Sequence, residues 1–320
     1  MSDALDYRDF GGVPTSGDDP AAWDFGWHRD PAEVARIARG LSCPSASSTP
    51  AGRVPLAELP DRVFLWDAHR KIEGRNPPAK DQKRVGSCVA FGTCNAIRRT
   101  MAVEIALGGE PERLVDIVEE AVYGGSRVEV GGGRIAGDGS VGAWAARFVC
   151  DWGVLARGVY GRFDLTDYRE DTCREFGYSG VPAELEALSK EHPVRDITAV
   201  GTWAEAKRML ASGYGIAVCS AQGFSMRRDA RGVAAPSGTW NHCMCLDGYA
   251  VLPGGEEFGH LVNSWGPDTH TGPVGWGEPG TEGFWADAGA VAGMLAAGDS
   301  WAFSHLQGFP AQKIDWRTVT

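Results

Sequence analysis

Apolar positions follow two rhythms along this chain, and the change comes near residue 213. Before it, steps of three and four dominate. Phe91, Cys94, Ile97, Met101 and Ile105 recur at that spacing, which predicts a helix over Cys88–Ala106 with one buried stripe. Ser87 stands where an N-cap belongs. Leu114, Ile117, Val118 and Ala121 predict a second helix over 112–122, ended by Gly124 and Gly125. Trp144, Ala145 and Phe148 predict a third over 142–150. Thr202-Trp203-Ala204-Glu205 reads as a capping box that opens a fourth helix, closed by Gly213. Beyond that point 215–220, 242–251 and 258–264 are short runs of strand composition between turn residues, and 284–286 adds another. Helices first and antiparallel strands afterwards predict an α+β protein with two lobes and a cleft between them.

The first 58 residues read differently. Residues 11–30 hold Gly, Pro, Asp and Trp without a period. Asp30-Pro31-Ala32-Glu33 then supplies an N-cap, a proline at the first helical position and a glutamate three after the cap, so a short helix is expected as far as Arg39, with Gly40 as its stop. Residues 42–52 (SCPSASSTPAG) have the composition of a surface loop or linker. We therefore expect 1–58 to be an N-terminal extension: an arm, a lid or a piece that docks a protein partner. Residues 59–320 are expected to form one domain, with a helical lobe over about 80–200, a β lobe over about 213–300 and a tail over 301–320.

Composition narrows the function classes. Of 320 residues 43% are hydrophobic and 23% charged, a globular balance. Lys and Arg number 31 against 42 Asp and Glu, a net charge of −11 with no long basic block, which argues against nucleic acid as a partner. Arg98-Arg99 and Lys207-Arg208 read as solvated helix faces. No stretch of 18 apolar residues is present, so no membrane span is expected. The acidic, interrupted start lacks the pattern of a signal peptide, which suggests a cytoplasmic or particle-associated protein whose eight cysteines are mostly reduced thiols. No cofactor or metal is called for. The Gly-rich runs 131–134 and 137–142 lack the Lys-Ser/Thr of a phosphate loop and read as cleft-wall loops. His242, Cys243, Cys245, His260 and His270 lie close in sequence. On a strand, however, the single-residue spacing puts both thiols on one face and His242 on the other, so Cys243 and Cys245 read as core. Glu119-Glu120 and Glu170-Asp171 show no sign of acid–base work.

One constellation carries chemistry. Gln82 precedes Cys88 by six residues in DQKRVGSCVAF, Asn241-His242 heads a strand, and Leu261-Val262-Asn263-Ser264-Trp265-Gly266 follows on what should be a neighbouring one. A thiol on the first turn of a helix is stabilised as thiolate by unpaired backbone N–H groups and the positive helix end. An imidazole across a cleft would take its proton, and an Asn carboxamide would hold that ring in the useful tautomer. Gln82 and the Cys88 backbone N–H could together stabilise an oxyanion. These are the residue types that acyl transfer through a thioester needs.

The same residues resemble the papain-like cysteine peptidases, over about 59–290. Gln82-x-x-x-Gly86-Ser87-Cys88-x-Ala90-Phe91 is similar to that family's nucleophile motif. The resemblance makes Cys88 the nucleophile, His242 the base, Asn263 its orienting partner, Gln82 the oxyanion donor and Trp265 the shield over the Asn–His bond. Gly275-Trp276-Gly277 matches the element that follows, and Asp138-Gly139-Ser140 falls where the family lines its cleft. Gly86, Ser87, Asp138, Gly139, Ser140, Asn241, Trp265 and Trp276 are thus the expected cleft residues. The implied fold has a mainly helical N-terminal lobe bearing the nucleophile helix and an antiparallel β-sheet or barrel as C-terminal lobe. The implied partner is a polypeptide substrate, cut at peptide or isopeptide bonds.

Departures from the pattern keep a second expectation open. Val89 follows the nucleophile where Trp is usual, Val85 and Gly137 stand where the family has a disulfide, and Ser140 replaces a glycine whose backbone pairs with substrate, so its side chain is expected to crowd that subsite. Residues 267–274 make a longer link than usual. The first 58 residues do not resemble the long helical inhibitory propeptide. The alternative is a catalytically weak or inactive papain-like structural or assembly protein, such as a component of a phage particle. A cleft filled by 1–58 would favour it.

Overall fold

In a computed structural model of the chain, the structure describes residues 23–24, 26–108, 113–276 and 283–319. Residues 1–22, Glu112 of the expected second helix and Gly277 of the Gly-Trp-Gly element lie outside these. A two-residue strand β1 (Trp23–Asp24) and helix α1 (Pro31–Arg39) come first. Asp30 caps α1 by accepting the Glu33 N–H at 3.0 Å, and Gly40 closes it. The loop-like stretch after it contains the short 3-10 turns Ala46–Ser48 and Ala51–Arg53. Then follow β2 (Arg62–Phe64), α2 (Leu65–Glu73), α3 (Cys88–Ala106), α4 (Glu119–Gly125), α5 (Gly142–Trp152), the hairpin β3 (Val159–Tyr160) and β4 (Phe163–Asp164), α6 (Glu170–Ser179) and α7 (Ala183–Ser189). The rest is β5 (Asp196–Ala199), α8 (Trp203–Ala211), β6 (Ile216–Arg228), β7 (Ala234–Val251), β8 (Glu257–Val262), β9 (Gly283–Asp287), α9 (Ala288–Leu295) and β10 (Asp299–Ser304).

Helix α3 is the axis that both lobes share. Its residues from Cys88 to Glu104 are all buried, so it has no solvent face and the single stripe read from the sequence understates it. It packs against α2, α4 and α5 on one side and against β6, β7 and β10 on the other. For the same reason Arg98 and Arg99 are not a solvated face. Arg99 Nε donates to Asp247 Oδ2 on β7 at 2.8 Å, and Asp247 Oδ1 meets His260 Nδ1 on β8 at 2.7 Å. These fully buried groups tie the helix to two strands.

The second helix starts and ends later than its apolar spacing suggested. Residues 113–118 are not helical, with Ile117 bridged to Ala156, and α4 continues through Gly124 and Gly125 into a π-helical turn, Ser126–Val130. Those glycines do not terminate it. A Cβ at Gly125 would fall 2.1 Å from the Phe148 ring, so the position serves close helix packing. Glu119 and Glu120 are buried and paired with Arg157.

The main sheet runs β5-β10-β6-β7-β8-β9. It is an open path among the described residues rather than the closed barrel held open as an expectation, because β5 and β9 are edges without a common partner. Long β7 has β6 on one side and then β2 beyond it, paired at Gly248–Ala250 positions. On the other side β8 pairs only from Cys245 onward, and β1 takes the stretch before it in parallel, with Trp23 opposite Trp240 and Asp24 opposite Asn241.

Candidate active site

Cys88 is the first residue of α3 and is buried. One helical turn later the backbone touches β7: a Cβ at Gly92 would lie 2.7 Å from Cys243 Sγ. The start of the helix therefore lies beside the part of β7 that carries His242. Ser87 holds the N-cap position but makes no capping bond; its hydroxyl is 3.2 Å from that of Tyr168.

The segment before the nucleophile is zipped to the segment that carries Asn263. Gln82 N donates to Ser264 O at 2.8 Å, Gly266 N donates to Lys80 O at 2.9 Å, and Asp81 bridges Trp265. The buried Gln82 side chain is held at both ends: Oε1 accepts from Ser264 Oγ at 2.7 Å and Nε2 donates to Val85 O at 3.0 Å. Ser264 is thus a site residue that sequence reasoning passed over, although it stood inside the Asn-Ser-Trp-Gly motif.

On the sheet side, His242 Nε2 lies 2.9 Å from Asn263 Oδ1, which also accepts the Ser264 backbone N–H at 2.8 Å. An oxygen taking two donors puts the neutral ring's proton on Nε2. The Trp265 ring stacks on the imidazole with centroids 4.7 Å apart and 28° between planes. Burial pushes the His242 ring down to about 4, against the opposing effect of its bond to Asn263. The other end of the carboxamide, Nδ2, is 3.2 Å from Nε2 of His270, a residue that the sequence offered only as a metal candidate. Among the described residues no group of three His, Cys, Asp or Glu side chains is arranged to hold a metal ion. Cys243 and Cys245 are buried in the core.

Two expected cleft residues behave differently from their expectations. Ser140 does not crowd a subsite, because its hydroxyl turns inward to Ser126 Oγ at 2.8 Å. Trp276 packs on Phe258 and Trp285, with ring centroids 5.0 Å from each, in a satellite aromatic cluster with Trp66. Asp138 ties the cleft wall to the nucleophile segment, since its Oδ2 accepts the Gly86 N–H at 3.0 Å. Gly139 follows, donating its N–H to Tyr123 OH at 2.9 Å.

Residues 26–28 bridge Ser140, an expected cleft residue, and Asn241 on β7. Ser140 N donates to Gly26 O at 2.7 Å, His28 N donates to Ser140 O at 2.9 Å, and Trp27 N donates to Asn241 O at 3.1 Å. Gly26 has φ +108°, and a Cβ there would fall 1.9 Å from Gly86 O, so only glycine fits at this crossing. Trp27 is buried, and its indole N–H donates to the buried Asp299 carboxylate at 2.8 Å. Nothing periodic in the sequence marks this segment, and its contacts lie more than 50 residues away.

No protein-family model matches the sequence. The Cysteine proteinase 2 of Entamoeba histolytica is 26% identical over 216 residues, 65% of this chain, and the match spans 59% of that protein's length. Among solved structures, xylellain, a cysteine protease from Xylella fastidiosa, superposes with a TM-score of 0.52 at 15% identity, over 93% of this chain and 96% of its own. The proform of the ragweed pollen cysteine protease Amb a 11 gives a TM-score of 0.52 at 16% identity, over 87% of this chain and 75% of its own. The order of elements, the central helix between lobes and these likenesses agree: the chain has the papain-like fold, and its sequence is similar to that of a cysteine proteinase.

Proposed function

We propose that the chain is a cysteine-type peptidase whose cleft is covered by its own N-terminal arm. The observation that carries this reading is the buried His242–Asn263 hydrogen bond under the Trp265 ring, on the strand against which the Cys88 helix begins. With its proton on Nε2, His242 presents Nδ1 as the base. The thiol of Cys88 gives its proton to the ring and its sulfur attacks a substrate carbonyl. The oxyanion is met by the Cys88 backbone N–H and the Gln82 carboxamide. The imidazolium then protonates the departing amine, leaving a thioester, and water activated by the same ring releases the acid and restores the thiol. In the covered state His242 is kept neutral by burial, so thiolate and imidazolium form readily only when the arm lifts.

The test is intact-mass labelling with a thiol-directed epoxide on the full chain, on a chain beginning at residue 30 and on Cys88→Ala versions of both. Adducts dependent on Cys88, faster in the shortened chain, are expected, together with cleavage of members of a peptide library. Equal labelling with and without Cys88 would defeat the nucleophile assignment. A second reading, a papain-like chain kept for binding or assembly, is favoured by the arm in the cleft. It predicts that the shortened chain reacts no faster and cleaves nothing.

A further inference from the structure

Loop 267–274 joins the two segments of the sheet lobe and brings a second histidine to the site. His270 is 1% exposed. Its ring packs 4.4 Å from that of Phe284 on β9 and 6.3 Å from that of Trp265, centroid to centroid. The loop is held on three sides. Thr269 Oγ1 donates to Trp265 O at 2.7 Å, Thr271 N donates to Met226 O at 2.8 Å, and Arg228 Nη2 donates to the His270 carbonyl at 2.9 Å. Such anchoring does more than close a turn. It aims one ring nitrogen at one atom, Asn263 Nδ2, which as an amide nitrogen can only donate.

We propose that His270 is a positioning residue: its unprotonated Nε2 accepts from Asn263 Nδ2 and so fixes the carboxamide that fixes His242. The inference rests on the peptidase reading for its purpose, but its geometry stands apart from it. Asn263 Oδ1 faces His242 and the Ser264 N–H while Nδ2 faces His270, so a flipped amide would confront two donors and leave His270 without one. Among the described residues, the charged or titratable groups that act on His270 are Arg228 on β6 and His242 on β7. Burial first, and the Arg228 guanidinium next, push the ring down to about 3, which keeps it a neutral acceptor at any working pH. A lysine or arginine here could not accept, and a carboxylate would bring a charge toward His242.

The experiment uses ¹⁵N-histidine-labelled full-length chain with Cys88→Ala, so that no turnover is needed. In this protein His270 Nε2 should read as an unprotonated, hydrogen-bonded nitrogen from pH 5 to 8. A protonated Nε2 overturns the inference without further variants. His270→Phe should lower the His242 Nε2–H to Nδ1–H tautomer ratio by about fivefold, the loss of one hydrogen bond, whereas His270→Gln, which can still accept, should stay within about twofold. An unchanged ratio in the folded Phe variant also overturns it. With Cys88 restored, kcat should fall on the order of tenfold in the Phe variant with KM nearly constant, and recover in the Gln variant. If Cys88 proves inert in every chain, the peptidase reading fails while the tautomer result still decides the role of His270.

Discussion

Two imidazoles are buried equally, at 1% exposure, on neighbouring strands, and they have opposite kinds of partner. His260 on β8 meets the Asp247 carboxylate at 2.7 Å, with Arg99 on the far oxygen at 2.8 Å. His242 on β7 meets a carboxamide at 2.9 Å. Burial pushes the Asp247 carboxyl up, but His260 and Arg99 outweigh it and hold the group below its ordinary range. That network knits α3, β7 and β8 together. A carboxamide orients a ring without settling its charge. On the peptidase reading, the difference separates a histidine that holds the fold from one that exchanges a proton during chemistry.

The largest expected effect breaks the comparison on the chemical side. His242→Ala should slow epoxide labelling of Cys88 in the arm-shortened chain by about three orders of magnitude or more, with a modest change in melting temperature, whereas His260→Ala should leave labelling of the folded protein intact. Comparable labelling losses in both would mean that the two rings are not different in kind. Next, Asp247→Asn should lower unfolding free energy by about 3–5 kcal/mol, because it leaves the Arg99 guanidinium buried beside a neutral group. Urea melts measure this, and a loss below about 1 kcal/mol would show that the network is not a structural clamp.

Exchanging partners sharpens the comparison. Asn263→Asp gives His242 a carboxylate like that of His260, which favours the imidazolium, so its NMR titration midpoint should rise from about 4 by roughly one to three units. A midpoint that does not move would mean that burial alone governs the ring. A pH series tests the same burial through stability. His242 is pushed down to about 4, and His270 and His69 to about 3, from an ordinary 6.5. Below pH 6.5 the unfolded chain takes up protons that the folded one refuses. The contribution of these rings, on the order of a few kcal/mol each, is therefore whole above that pH and is lost as pH falls toward 4 and then 3. Denaturant midpoints that stay level from pH 7 to 4 would refute it. The smallest effect concerns the arm: Gly26→Val, whose side chain collides with Gly86, should speed Cys88 labelling by about tenfold and move His242 toward its ordinary titration range. Slower or equal labelling would mean that the arm does not control access.

Much of the fold was legible because local signals set it. Cys88 as helix start, Asp30 and Thr202 as caps, and the switch to strand composition after residue 213 each depend on residues a few positions apart, and the elements begin where those signals stand. Gln82, His242, Asn263 and Trp265 were named by short motifs, and the structure links Gln82 to Ser264 and His242 to Asn263. Misreadings came where the partner was distant. Gly124 and Gly125 looked like a stop because nothing nearby indicated Phe148 and Phe176 pressing on them. Arg99 looked solvated because its partner Asp247 lies 148 positions on, and Arg98 because its partner Asp116 lies beyond the end of the helix.

The sequence alone thus determined which residue types could perform thioester chemistry and where the helix that bears the thiol begins, since short-range hydrogen bonding and apolar spacing set both. Only the tertiary structure decided that residues 26–28 bridge Ser140 and Asn241, that the Ser140 hydroxyl faces inward, and that His270 closes on Asn263. Each of those depends on a contact between segments distant in the chain, where packing and the burial of polar groups, rather than any neighbouring residue, select the partner.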